Sequence, residues 1–95
     1  MLTPKQKAIL KSHANTISQR FQLGKGAMTA SFVDMVDKAL EAHELVKVSI
    51  LKNSELDMDD VAETLTLELS CDIVQSIGRV LVLYRRSKHH PRHLI

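Results

Sequence analysis

Phe21-Gln22-Leu23-Gly24-Lys25-Gly26-Ala27-Met28-Thr29 is the stretch on which the reading of this chain turns. Phe21 and Leu23, with Ile17 before them, share one side of a period-two pattern. Ser18, Arg20 and Gln22 take the other side, which predicts a strand over 17–23. Gly24 and Gly26 then remove the Cβ atoms that would hold a ligand off the backbone, and they permit positive φ in a turn. The turn leads to a helix start near Thr29, where unpaired N–H groups and the helix dipole favour an anion. With Lys25 between the glycines, a strand, a phosphate-sized loop and a helix stand in sequence. The plainer alternative is a tight connection carrying a solvated lysine.

Working outward, Met28, Phe32, Met35, Val36, Ala39, Leu40 and His43 recur at three- and four-residue spacing and predict an amphipathic helix over about 29–43. Val46, Val48 and Ile50 alternate with Leu45, Lys47, Ser49 and Leu51 in a second strand over 44–51. Asp57, Asp59 and Asp60 place acids in the first turn of a third helix, whose apolar stripe is Val61, Ala62, Leu65 and Leu69. Strands over 73–77 and 80–86 are joined through Gly78-Arg79, a short hairpin connection. In the last strand Val80, Val82 and Tyr84 alternate with Leu81, Leu83 and Arg85, so both faces are apolar until its end. Upstream, Thr3-Pro4-Lys5-Gln6 opens a first helix with a capping box and a proline at the first helical position, running to about Ala14. The order helix, strand, helix, strand, helix, strand, strand predicts an α/β fold with a small mixed four-stranded sheet. Two crossovers imply a parallel core and the hairpin adds an antiparallel strand.

The 95 residues suit one domain over 1–88. His89, His90, Pro91, Arg92 and His93 then begin a basic segment, 89–95, without a core period, expected to be a mobile tail. No apolar run approaches the roughly 18–20 residues that span a bilayer, and no signal-peptide segment follows Met1, so a cytoplasmic protein away from membranes is expected. The single cysteine, Cys71, has no partner for an internal disulfide and reads as core filler. Asp57, Asp59 and Asp60 lack the glycine of a calcium loop, and Glu68, at the place of its last ligand, falls inside the third helix. No nucleophile, base and carboxylate stand in a catalytic motif. No enzyme activity, metal, cofactor or small-molecule substrate is expected.

The net charge of +2 conceals a segregation. Residues 1–33 carry five cations (Lys5, Lys7, Lys11, Arg20 and Lys25) and no acid, and residues 73–95 carry another five (Arg79, Arg85, Arg86, Lys88 and Arg92), again with no acid. All 11 acids lie between Asp34 and Asp72, opposed there only by Lys38, Lys47 and Lys52. If the two ends meet in space, the molecule has a basic face suited to a polyanion. Phe21, Phe32 and Tyr84 are the only aromatics, and the core needs the phenylalanines, so recognition would rest on phosphate contacts and shape. A different class remains open: a protein-interaction module whose basic patch docks an acidic partner without nucleic acid.

Four segments stand in a familiar order: Leu2-Thr3-Pro4-Lys5-Gln6-Lys7, Leu23-Gly24-Lys25-Gly26, Leu40-Glu41-Ala42-His43-Glu44-Leu45-Val46-Lys47-Val48, and Val74 to Arg85 with its Ile77-Gly78-Arg79 centre. Together they make nearly the whole chain resemble the stand-alone bacterial CRM domains of the YhbY type. That resemblance implies an RNA-binding protein associated with precursors of the large ribosomal subunit, hence with ribosomal RNA. It also implies a fold similar to the C-terminal domain of bacterial translation initiation factor three. The family's loop is G-x-x-G, likened to the phosphate-clamping loop of KH domains. Here Gly24, Lys25 and Gly26 match and Ala27 stands in the fourth place; alanine suits negative φ, so Ala27 is kept as a loop position only. The site expected around the loop adds Arg20, then Lys5, Lys7 and Lys11 on the first helix, then Arg79, Arg85 and Arg86, whose side of the sheet the sequence leaves open.

Overall fold

The computed structural model describes residues 2–16, 20–23, 29–51, 57–89, 91–92 and 94–95. Its elements are α1 (Pro4–Ala14), β1 (Arg20–Leu23), α2 (Ala30–His43), β2 (Leu45–Ile50), α3 (Met58–Leu69), β3 (Asp72–Ile77) and β4 (Val80–Tyr84), the order expected from the sequence. Each helix starts where a side chain satisfies an orphan backbone N–H. Thr3 Oγ1 accepts from Gln6 N at 3.1 Å while Thr3 N donates to Gln6 Oε1 at 3.0 Å, completing the capping box. Thr29 Oγ1 accepts from Phe32 N at 3.1 Å, and Asp57 Oδ1 from Asp59 N at 2.8 Å.

The sheet is mixed, with strand order β1-β2-β4-β3. β1 and β2 pair in parallel, and β4 pairs antiparallel with both β2 and β3. The expected parallel core is therefore a single pair, because β4 inserts between the strands that α3 connects. Side chains explain the insertion. β4 buries Leu81 and Leu83 on one face and Val82 and Tyr84 on the other, which demands a central position, whereas β3 exposes Ser76 and Ile77 and suits an edge.

Alternation then sorts the side chains into two cores. Leu23, Val46, Val48, Ile50, Leu81 and Leu83 point to one face and meet Phe32, Val36 and Leu40 of α2 and Val61, Leu65 and Leu69 of α3. Leu45, Val74, Val82 and Tyr84 point to the other and meet Leu10 and Ala14 of α1. The molecule is a sheet with α1 on one side and α2 with α3 on the other. Cys71 lies in the larger core, where burial pushes its thiol up to about 11, so it behaves as an inert apolar group at neutral pH.

The C-terminal segment differs from the expectation of a tail free of the core. Leu94 and Ile95 are half-buried against the α1-side core. Two carboxylates at the end of α2 hold the backbone leading there. Glu44, fully buried, accepts from Ser87 N at 2.7 Å and from Arg92 N at 3.1 Å. Glu41 accepts from Ser87 Oγ at 2.6 Å, Lys88 N at 3.1 Å and His89 N at 3.0 Å. A search for apolar period misses this attachment, because its partners are backbone N–H groups, which every sequence carries. His90 and His93 lie outside the described residues.

The hydrogen bonds from Ser87, Lys88 and His89 lower the Glu41 carboxyl from its ordinary 4.5 to about 2. A depressed folded value makes the ionised clasp stabilising above about pH 4.5, with that contribution lost as pH falls towards 2. The melting temperatures of wild type and Glu41→Ala should therefore differ at neutral pH and converge as pH is lowered from 4.5 to 2. A gap that stays constant over this range would mean that the Glu41 charge does not hold the segment.

Candidate nucleic-acid interface

The register of the strands lays out the α1-side face row by row. Leu45, Tyr84 and Asp72 form one row, and α1 packs over this end of the sheet. The next row reads Arg20, Lys47, Val82, Gln75, and the one beyond it Gln22, Ser49, Val80, Ile77. Only Val82 of these two rows belongs to the core under α1. Arg20, Gln22 and Ile77 are exposed, and Lys47, Gln75 and Val80 are half-buried.

Arg20 lies over Ser49, with Nε donating to Ser49 Oγ at 2.9 Å, which covers the hydroxyl and directs the guanidinium. Arg79, in the β3–β4 turn, is drawn to the same place. Its Nη1 donates to Leu51 O at 3.3 Å, and its carbonyl accepts from Ile50 N at 2.8 Å. Gly78 takes the positive φ of 56° that this two-residue turn requires. Between them lies an open hollow of about 400 Å³ lined by Arg20, Gln22, Ser49, Leu51, Arg79 and Val80.

The other expected residues divide. Lys5, Lys7 and Lys11 stand on α1, on the same side of the sheet as Arg20 and Arg79. At about 100° per residue, Lys7 lies about 40° and Lys11 about 80° from the buried Leu10–Ala14 direction, while Lys5 points away from the sheet. Arg86 is exposed and its charge acts on Tyr84, whose hydroxyl is raised chiefly by burial and then by the Glu44 charge. Arg85 turns to the opposite face. Its Nη1 donates to Asp37 Oδ1 at 2.6 Å and to Leu69 O at 3.0 Å, and its Nη2 to Asp37 O at 3.0 Å, with 17% of the side chain exposed. Gly24, Lys25, Gly26 and Ala27 lie outside the described residues, between Leu23 at the end of β1 and Thr29 at the cap of α2. Lys47 is the residue that sequence reasoning passed over. Its signal was its place beside Ser49 on the less apolar side of β2.

Acids occupy the other side. Asp34, Asp37 and Glu68 line a groove of about 520 Å³ between α2 and α3, and Asp59 and Asp60 open α3. Asp34 also pairs with Lys38 at 2.9 Å, which raises the lysine. Asp72, in the row under α1, is the acid that the register puts on the basic side. The sheet thus sets Lys7, Lys11, Arg20, Lys47 and Arg79 apart from Asp34, Asp37, Asp59, Asp60 and Glu68, with Arg85 and Asp72 as the exceptions. Among the described residues no helix is long and apolar enough to cross a membrane.

The sequence model of the CRS1 / YhbY (CRM) domain matches residues 2–85. Over 92 residues the chain is 46% identical to the probable RNA-binding protein YqeI of Bacillus subtilis, an alignment covering 97% of this chain and 96% of that protein. Over 87 residues it is 32% identical to an RNA-binding protein of Haemophilus influenzae, covering 92% and 88%. The solution structure of the hypothetical protein SAV1595 from Staphylococcus aureus, named as a proposed RNA binding protein, is 43% identical in sequence. It superimposes with a TM-score of 0.75 over 94% of this chain and 93% of that one.

Proposed function

Since this chain belongs to the CRS1 / YhbY (CRM) domain family, we propose that it is a non-catalytic, cytoplasmic RNA-binding protein acting on ribosomal RNA in large-subunit precursors. The observation that carries the reading is the separation of charge across the sheet. Lys7, Lys11, Arg20, Lys47 and Arg79 stand on the α1 side, and the acids of α2 and α3 stand on the other. Such a molecule presents one face to a polyanion and turns the repelling face away. That relatives are named as RNA-binding proteins supports RNA as the polyanion. The segment Gly24-Lys25-Gly26-Ala27 follows β1 in the sequence, and in this reading Lys25 neutralises phosphate.

Lys25→Ala is expected to weaken binding to a ribosomal RNA fragment and to lower the slope of log affinity against log salt by about 0.7–0.9, the share of one phosphate contact. Asp59→Ala, at the start of α3, is the matched control and should bind like wild type. Circular dichroism should report equal folding for all three. Affinity and slope unchanged in Lys25→Ala would reduce the loop to a plain connection. Failure of the wild type to bind RNA at low salt would favour an acidic protein partner instead.

A further inference from the structure

We infer that the uncovered half of the α1-side sheet face binds a single-stranded segment of RNA, its phosphate between Arg20 and Lys47 and an unpaired base in the hollow beside Arg79. The inference rests on the RNA-binding reading above and specifies the form of RNA and the residues that meet it. Its starting point is an electrostatic cost. Arg20 and Lys47 are directly paired across β1 and β2 on one face, about 4.8 Å apart at the backbone. Like charges in that position repel. Neither their own row nor the Gln22 row contains an acid; Asp72, in the row under α1, lies on β3, two strands from Lys47 and three from Arg20. Neither residue has a salt bridge among the described residues. A phosphate between the two cations turns the repulsion into attraction.

The surroundings favour a single strand. Arg20 commits Nε to Ser49, leaving the outer edge of its planar guanidinium to donate, the geometry suited to a phosphate. Beyond the cations lie the half-buried Val80 and Ile77, which is 63% exposed. An unpaired base would cover these side chains, whereas a base already stacked in a duplex would not. The hollow of about 400 Å³ falls within the range of about 300–1,000 Å³ typical of small-ligand sites. With Gln22, Arg20 and Arg79 as its polar walls and no aromatic ring among its lining residues, it would hold a base with little sequence preference.

The test is a fluorescence-anisotropy salt series on the full chain, using a labelled 12-nucleotide oligouridylate and a 12-base-pair RNA duplex. Wild type should bind the single strand several-fold more tightly than the duplex. Lys47→Met, which keeps the length and removes the charge, should weaken single-strand binding about 3- to 10-fold at 0.1 M salt and lower the salt slope by about 0.7. Ile77→Ser should weaken it about 2- to 5-fold with the slope unchanged, the share of a partly covered aliphatic side chain. If Lys25→Ala binds weakly while Lys47→Met and Ile77→Ser match wild type, this inference falls and the RNA-binding reading stands. If wild type binds neither RNA, both fall. Duplex binding as tight as the single strand overturns the inference. So does displacement of the RNA by polyglutamate as readily as by unlabelled oligouridylate, which would assign the face to an acidic protein.

Discussion

Glu44→Ala should lower the melting temperature by about 10–25 °C. Glu44 closes α2 at a positive φ of 67°, donates its N–H to Leu40 O at 2.8 Å and is fully buried. Its carboxylate is the acceptor for Ser87 N and Arg92 N. Alanine also has a Cβ, so the strain at this φ stays and only the acceptor is lost. Hydrogen bonds to a charged group contribute about 1.5–3 kcal/mol each, so the buried bond from Ser87 N and the part-buried one from Arg92 N, less the regained cost of burying a charge, come to about 2–4 kcal/mol. At about 4–8 °C per kcal/mol for a domain of this size, the loss is easily read in a thermal melt. Glu44→Gln keeps one acceptor oxygen and should lose about half as much. Removing residues 89–95 should also destabilise the fold, because Leu94 and Ile95 leave the α1-side core and Arg92 leaves Glu44. In that shortened chain Glu44→Ala should cost less than in the full one, since both changes break the same contact. Additive losses, or a shortened chain as stable as the full one, would separate Glu44 from the C-terminal segment.

Arg85→Ala should cost about 2–3 kcal/mol, or about 8–20 °C, and leave the salt dependence of RNA binding unchanged. The guanidinium ties Asp37 in α2 to the last carbonyl of α3 and to the end of β4. Hydrogen bonds from a charged group contribute about 1.5–3 kcal/mol each. Asp37 remains 46% exposed and regains water when its partner is removed, which holds the total down. Arg85→Lys should rescue little, because an ammonium cannot span Asp37 and Leu69 as the planar fork does. A stable Arg85→Ala protein with a lowered salt slope would return Arg85 to the nucleic-acid site.

The helices, the strands and their two-sided alternation were legible in the sequence because each is a local repeat. Thr3 with Gln6, Thr29 with Phe32, and the apolar stripes of α2 and α3 need only neighbours within a few residues. β4 declared its central position through two apolar faces, although its insertion between β2 and β3 was not deduced from them. The signal for Lys47 was there too, but it had meaning only once β1 paired with β2 in a register that set Arg20 beside it.

The sequence by itself determined the order of elements, which side chains share a strand face, and the segregation of acids into the middle of the chain, because periodicity and charge are properties of neighbours. Only the tertiary structure decided which cations are free to meet a ligand. Arg79 and Arg85 look alike on paper, yet the turn holds Arg79 beside the hollow while strand alternation sends Arg85 to an aspartate 48 residues away. It likewise decided that the last residues belong to the fold, through a glutamate 43 residues before the serine whose N–H it accepts. Contacts at such separations depend on register and chain return, which no local pattern encodes.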